Sequence, residues 1–481
     1  MPPLPRLFLS AAHKSSGKTT LGIGLCAEFK HRGLSVQPFK KGPDYIDPMW
    51  LGRAAGRPCY NLDFNTMTSD EIAALFQARA AGADLSLIEG NKGLHDGISL
   101  DGSDSNAAVA RLLSAPVVLV IDTQGITRGV APLLIGYRQF DPEVKIAGVI
   151  LNRVAGQRHG EKLRAAVEHY TDIPVLGLVR RTSALHLDER HLGLIPSNEA
   201  GSADHLIEEI RRRVTDQVDV DSLFRIARQA DPLHESALPH MPGLPLPRLR
   251  VGIARDRAFG FYYPDDLEAF ERLGAELVPV DMLNDRRLPD ELDALFIGGG
   301  FPETAMEALA ANAEMRHSVR SAIERGLPTY AECGGLMYLA RSLRWGDRRV
   351  EMAGVIPGDV VMGERPVGRG YIRLCETAAH PWPRFDRDTA GDREIAAHEF
   401  HYSRLENLDI GAGFAYRVLR GHGIDGSHDG IVMHRLLANY AHLRDTSKYR
   451  WIHRFLAFAA HHANNGATPV SGIDSVNTGE P

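Results

Sequence analysis

Cysteine is scarce in this chain: four in 481 residues, at positions 26, 59, 333 and 375, with no Cys-x-x-Cys pair. Such spacing excludes a disulfide framework and suits a reducing compartment, so a cytoplasmic location is expected. Long apolar runs are also missing. The longest, such as 115–121, fall far short of the ~20 residues that span a bilayer. The opening Met1-Pro2-Pro3-Leu4-Pro5-Arg6 is not the basic-then-apolar start of a signal peptide. Nor is there an excess of positive charge. A net charge of -6 without a basic tract removes nucleic acid and anionic membrane from the expected partners. What is present, 44% hydrophobic and 24% charged residues, is the make-up of a globular protein with two or three domains at this length.

The first apolar strand, 7–12, runs into His13-Lys14-Ser15-Ser16-Gly17-Lys18-Thr19-Thr20, and Leu21, Ile23, Leu25 and Phe29 then give a helical stripe. Strand, loop and helix in that order make a phosphate-binding loop. Backbone N–H groups of Ser16, Gly17 and Thr20 and the helix N-terminus would cradle phosphate, Lys18 would reach the β- and γ-phosphates, and Thr19 would ligate Mg²⁺. Ala12 stands where such loops usually begin with glycine. Strands at Leu85–Glu89, Val117–Asp122, 146–151 and 175–178 alternate with helices near 69–81, 104–113, 129–139 and 160–170, which implies a mostly parallel sheet covered on both faces. Acidic residues cluster at its strand ends: Asp44 and Asp47 in 40–48, and Glu89 and Asp96 in 89–97. Any one of them alone reads as a surface charge. Their glycine- and proline-rich frames favour Mg²⁺ ligation and substrate handling instead.

Five prolines between Asp231 and Arg248 mark an extended linker, so domains are expected at 1–230 and 249–463, with 464–481 a polar, disordered tail. The second unit repeats the α/β pattern with strands at 249–254, 277–280, 292–297 and 327–330. The last leads into Ala331-Glu332-Cys333-Gly334-Gly335, after which Leu336, Met337, Leu339 and Ala340 open a helix. A sharp strand-to-helix turn at a nucleophile, flanked by glycine, has the form of a nucleophile elbow, and the helix N-terminus favours a thiolate. Cys333 is therefore the expected nucleophile rather than a small buried core residue. Gly300, in Gly298-Gly299-Gly300-Phe301-Pro302-Glu303, and Gly334 are expected to supply oxyanion-hole N–H groups. A thiol also needs a base. His398, His401, His422, His428, His434 and His442 are candidates that spacing cannot separate, and none of them has zinc-type spacing.

As a set, Ser15–Thr20, 40–48, 88–97, Gly299–Glu303, 331–339 and His398-Glu399-Phe400-His401-Tyr402-Ser403 resemble the cobyrinate a,c-diamide synthase family over about residues 6–460. The resemblance implies two doubly wound α/β domains: an N-terminal P-loop amidoligase domain and a C-terminal class I glutamine amidotransferase domain. It implies a ligase that uses ATP, Mg²⁺ and glutamine to turn the a and c carboxylates of cobyrinate or hydrogenobyrinate into amides, through acyl phosphates. Carried over by position, it makes Cys333 the glutaminase nucleophile and His442, in Tyr440-Ala441-His442, its base. It makes Asp44, Tyr45, Ile46 and Asp47 a substrate loop, with the Tyr45-Ile46 pair against a flat macrocycle edge. Glu89 and Asp96 match an acidic Mg²⁺ segment. Asn152 and Arg153 stand where related amidoligases recognise adenine. The partners implied are small molecules (glutamine, ATP and a tetrapyrrole carboxylate), with a homodimer left open.

Two departures mark this chain. Leu443-Arg444-Asp445 replaces the family's Leu-His-Phe, and Gly298-Gly299-Gly300 replaces Pro-Gly-Gly. They leave sirohydrochlorin or sirohaem as an alternative substrate for the same chemistry. A P-loop ATPase switch is the alternative of another class. Such switches often carry a signature lysine five places before the P-loop lysine, a position held here by His13.

Overall fold

The first strand, β1 (Arg6–Ala11), is buried along its whole length, as a strand covered on both faces must be. A computed structural model describes residues 4–181, 189–190, 193–199, 202–236, 247–385, 394–409, 411 and 413–465. Among these, β1 lies in a seven-stranded parallel sheet with β2 (Val36–Lys41), β3 (Tyr60–Leu62), β4 (Leu85–Glu89), β5 (Val117–Asp122), β6 (Ile146–Val154) and β7 (Val175–Arg180). The spatial order is β3-β2-β4-β1-β5-β6-β7. The chain leaves β1 toward one side and returns to the other, so the carboxyl ends of β1 and its neighbours form the crevice where such sheets bind ligands. Helix α1 (Lys18–His31) begins there, directly after the glycine loop.

The segment expected as a loop at 44–47 is instead the start of helix α2 (Ile46–Ala55). Asp44 Oδ1 accepts the N–H groups of Ile46 at 2.9 Å and Asp47 at 3.1 Å, meeting two of the donors that a helix N-terminus leaves open. Pro48 sits in the first turn, where its missing N–H costs nothing. Gly56 ends the helix in the left-handed region, at φ 72°. Helix α3 (Ser69–Ala80) carries a full capping box between Thr68 and Glu71.

The second half is built on a nine-stranded sheet among the described residues. Its first five strands in space, Ala275–Val280, Leu249–Ala254, Ala294–Ile297, Thr329–Glu332 and Leu436–Asn439, run parallel. Beyond them His428–Met433, Phe414–Arg420, Gly368–Glu376 and Glu394–His401 continue antiparallel. The α/β class holds for both halves. The antiparallel extension is an addition that the apolar runs alone did not announce. Helix Trp451–Asn465 packs on this sheet and reaches two residues past the expected domain edge at 463; residues 466–481, the rest of the expected tail, lie outside the described residues. Of the expected linker, 231–236 and 247–248 carry no regular element and 237–246 lie outside the described residues. Its start is tied to the first half: Gln77 Nε2 donates to His234 O at 2.7 Å.

Candidate active site

The loop after β1 turns through the left-handed region at Ser15 (φ 60°) and Gly17 (φ 89°). At Gly17 a side chain is barred twice, because a Cβ there would also lie 2.3 Å from Asn152 Nδ2. Asn152 Nδ2 donates to Ser16 O at 2.8 Å, so it fixes the loop from the next strands. Arg153 donates to Asp122 Oδ2 at 2.7 Å. Ser16 Oγ is turned back onto His13 O at 2.7 Å, which leaves the loop's backbone to form the cradle. Thr20 lies in the first turn of α1. Lys18 Nζ donates to Lys92 O at 2.6 Å; burial and the nearby Lys40 ammonium push its pKa down to about 8. Asp96 faces the same ammonium and accepts from Gly93 N at 2.8 Å.

Next to this loop, charges converge on one buried cation that sequence reasoning passed over. Lys40 Nζ, at the end of β2, bonds to Asp47 Oδ2 at 2.5 Å and Glu89 Oε1 at 2.8 Å, with Asp44 Oδ2 at 3.9 Å. Thr19 Oγ1 donates to the same Glu89 oxygen at 2.7 Å and to Asp47 Oδ2 at 3.2 Å. Burial opposes the charge on Lys40, yet these carboxylates hold its pKa well above the ordinary lysine value. Burial and the Asp47 charge raise Asp44 to about 7. Burial works the same way on Asp47, but Lys40 outweighs it and keeps Asp47 below the usual carboxylate range. Glu89 is raised by burial, and its second oxygen has no hydrogen-bond partner among the described residues. Thr19 Oγ1, Asp47 Oδ2 and Glu89 Oε1 are hard oxygens of the kind Mg²⁺ takes, although among the described residues no three His, Cys, Asp or Glu side chains converge as a ready metal site. The expected ligands Thr19, Asp44 and Glu89 are thus together, and Asp47 is closer to Thr19 and Lys40 than Asp44 is.

Cys333 occupies the turn between Thr329–Glu332 and the helix Gly334–Leu339, with φ 45° and ψ -98°. A side chain in that region is strained and persists only where its surroundings impose it. Here the Cys333 N–H is held by Asn439 O at 2.7 Å, and a Cβ on Gly335 would lie 2.1 Å from Ile297 O. The neighbouring glycines let the helix start press against the sheet. Gly300 lines the cavity with Cys333, and a Cβ on Gly334 would stand 3.0 Å from Gly300 N, so the two expected oxyanion-hole backbones touch.

Of the six candidate histidines, His442 is the one charge-coupled to the thiol. Burial opposes its protonation, but hydrogen bonding to Cys333 and the Glu332 carboxylate lift its pKa to about 10. Its Nδ1 stands 3.4 Å from Glu332 Oε2, near enough to pair as ions though not aligned as a formed hydrogen bond. Glu332 is itself fixed through Oε1, which accepts from Tyr330 Oη at 2.6 Å and Leu443 N at 2.9 Å. Cys333, His442 and Glu332 thus stand in the order that a nucleophile, its base and an orienting carboxylate would take. Glu332 was missed, although it adjoins the cysteine in Ala331-Glu332-Cys333. His398 stacks on His442 with ring centroids 4.8 Å apart and planes 17° apart; burial and the charged neighbour push its pKa well down. His401 lines the same cavity but is turned to Ser403 O, 2.8 Å from Nδ1. His428 lies apart, 3.0 Å from Asp425 Oδ2.

The two sites meet at Tyr45. Its ring is buried, parallel to Phe261 at 5.3 Å and tilted against Tyr263, His398 and His442 at 4.7, 5.5 and 5.3 Å. Tyr45, expected with Ile46 to lie against a macrocycle edge, packs among these rings and still lines a cavity on either side. Pro43, Asp44, Tyr45 and Ile46 instead close one side of the cavity that holds Cys333 and His442. Arg444, in the segment that departs from the family pattern, is 2% exposed. It donates from the second half to Asn61 O at 2.7 Å in the first, and to Asp265 Oδ2 at 2.8 Å.

Two family models match this chain, one in each half. Residues 10–195 match the CobQ/CobB/MinD/ParA nucleotide binding domain, and residues 250–448 match the CobB/CobQ-like glutamine amidotransferase domain. A cobyrinate a,c-diamide synthase of Magnetococcus marinus is 48% identical over 459 residues, covering 93% of this chain and 96% of that protein. Enzymes of the same name from Methanosarcina acetivorans and Archaeoglobus fulgidus are each 39% identical, covering 95% and 94% of this chain and 95% and 97% of theirs.

Proposed function

The chain belongs to the cobyrinate a,c-diamide synthase family, and on that premise we propose that it is the ATP- and glutamine-dependent ligase that amidates the a and c carboxylates of cobyrinate or hydrogenobyrinate. One observation supports the reading above others. Asp44 and Tyr45, which lead into the Lys40–Asp47–Glu89 cluster beside the phosphate loop, are also walls of the Cys333 cavity. A nitrogen released by the thiol site has the ATP half of the molecule as its neighbour. A P-loop switch would have no use for a strained cysteine paired with His442 and Glu332.

In the second half, the Cys333 thiolate attacks the glutamine carboxamide carbon, and the oxyanion develops against the Gly300–Gly334 backbones. The His442 imidazolium gives its proton to the departing nitrogen, ammonia leaves, and water hydrolyses the glutamyl thioester to glutamate. In the first half, an oxygen of the substrate carboxylate attacks the γ-phosphorus of ATP, ADP leaves, and an acyl phosphate results. Ammonia then adds to the acyl carbon and expels phosphate. Lys18 and the loop backbone hold the phosphates in line for transfer. Bound Mg²⁺, with Thr19, Asp47 and Glu89 as its protein donors, would offset charge on the β- and γ-phosphates. Lys40, bonded to Asp47 and Glu89, holds those same oxygens close to one another.

The test is direct. Incubation with ATP, Mg²⁺, glutamine and cobyrinate, with sirohydrochlorin in parallel, is read by mass for carboxyl-to-amide conversion. Two conversions on cobyrinate are expected. Conversion of sirohydrochlorin alone would reassign the substrate, and ATP hydrolysis without any amide would remove the ligase reading.

A further inference from the structure

A second cavity, of about 810 Å³, runs between the two halves on the far side of Asp44 and Tyr45, which line both spaces. One wall is the outer face of α2, with Pro48, Met49 and Gly52, continuing to Arg57. The other is the turn Arg255-Asp256-Arg257 and the helix Pro264–Arg272. Its floor is flattened at Gly260, where a Cβ would lie 2.8 Å from Asn198 Nδ2. Cavities of this size hold small organic ligands.

The charges of this cleft are unequally committed. Asp256 is used by the fold, accepting from Ala258 N at 2.7 Å and Phe259 N at 3.1 Å on one oxygen and Met282 N at 2.7 Å on the other. Glu268 is held by Tyr60 Oη and Arg79. Asp44, which also lines the cleft, lies 3.9 Å from Lys40 Nζ, so of its four carboxylates only Glu271 stands exposed at the rim. On the cationic side Arg53 is paired with Asp204. Arg57 reaches a neutral hydroxyl, Ser35 Oγ, at 2.7 Å. Arg255 and Arg257 are exposed, and neither side chain has a hydrogen bond or ion pair among the described residues. Three guanidinium groups without a carboxylate therefore face a space whose walls between them are apolar at Pro48, Met49 and Leu267.

We propose that this cleft binds the rim of a polycarboxylate macrocycle, with Arg57, Arg255 and Arg257 receiving carboxylates that do not react. The reacting carboxylate then enters past Asp44 toward Lys18 and Thr19. Guanidinium forks match carboxylates in two-pronged pairs, and apolar walls between them suit the flat body of a tetrapyrrole. This rests on the tetrapyrrole ligase reading above and assigns the binding surface within it. It also explains how one site can serve two carboxylates in turn: the rim groups are interchangeable to the arginines, so the ring can be re-seated.

The experiment compares wild-type protein with R255Q/R257Q, using cobyrinate as the probe and titrating both its KM for amidation and its binding by absorbance. The double variant should raise KM and weaken binding by on the order of tenfold or more. Its kcat at saturating cobyrinate and its KM for ATP should stay near wild type. Added salt should weaken cobyrinate binding in the wild type and do so less in the variant. Glutamine hydrolysis without cobyrinate serves as the control for folding. An unchanged cobyrinate KM in a variant with normal glutaminase turnover overturns the assignment while the ligase reading stands. Wild-type protein that neither binds nor amidates cobyrinate removes both.

Discussion

Tyr45 and His442 come from opposite halves of the chain, and their rings meet with centroids 5.3 Å apart. The residue two places before Asp47, a neighbour of Thr19 in the phosphate-loop cluster, is thus part of the wall around His442. The two chemistries are joined by a packing contact as well as by a shared cavity.

Replacing the thiol should separate the halves. Cys333→Ala is expected to lower glutamine-driven amidation by about 10³-fold or more, while high ammonia still supports amide formation. Product mass with each nitrogen source is the measurement. A variant that fails with ammonia as well, while still folded and binding ATP, would place Cys333 in the ligase site or the core.

Glu332→Gln should act through His442. With the carboxylate gone, the imidazolium loses part of what holds its pKa up at about 10 and gives up its proton at lower pH. The thiolate–imidazolium pair exists only below that pKa, so the alkaline limb of the glutaminase kcat/KM profile should move to lower pH. A drop of about 10–100-fold in kcat is expected. A profile with an unmoved alkaline limb would show that Glu332 only packs the strand.

Lys18→Ala should weaken ATP use and leave glutamine hydrolysis without ATP close to wild type, because thioester chemistry needs no phosphate. Amidation kinetics equal to wild type would take Lys18 out of the mechanism.

Lys40→Met should leave the buried Glu89 and the partly buried Asp47 as unopposed negative charges. Breaking a buried pair from one side costs about 3–5 kcal/mol, so Tm should fall by several degrees. Mg²⁺ should recover part of that loss in the variant and do less for the wild type, since the metal's oxygen donors are the ones Lys40 holds. Thermal unfolding with and without Mg²⁺ decides this, and equal metal effects on the two proteins would count against the shared position.

Asp47→Asn should slow amide formation by about 10–100-fold while ATP affinity changes far less, and should leave singly amidated product in excess. The product mass distribution beside an ATP titration is the readout. Double amidation at the wild-type rate would return Asp47 to the role of a helix-capping neighbour.

Local order carried most of what could be read in advance. The phosphate loop, the cysteine turn and the alternation of 85–89, 117–122 and 146–151 with helices are all contiguous patterns, and each stands where its residues imply. Other features depended on distant partners or on a residue's place within a helix turn. Lys40 carries no local mark of its role, because its partners, Asp47 and Glu89, lie on other elements. By spacing alone His442 is level with five other histidines, and only the family resemblance singles it out; the structure sets it beside Glu332. The proline frame around 44–47 read as a loop, because Pro48 breaks a helix interior but is harmless in the first turn. Arg444 looked like a departure from a family pattern; its meaning lay in Asn61, 383 positions earlier in the chain.

Arg444 also bears on what the tether between the halves is for. Its buried guanidinium has one partner in each half, as the cavity around Cys333 has walls from each. Neither half presents a finished surface by itself. A gene divided within the proline-rich segment would yield two polypeptides, each with an incomplete pocket and a desolvated cation or aromatic ring laid open to water. They would have to find one another at cellular concentration. Covalent connection replaces that encounter with a high effective concentration, so assembly does not depend on how much of the protein the cell makes.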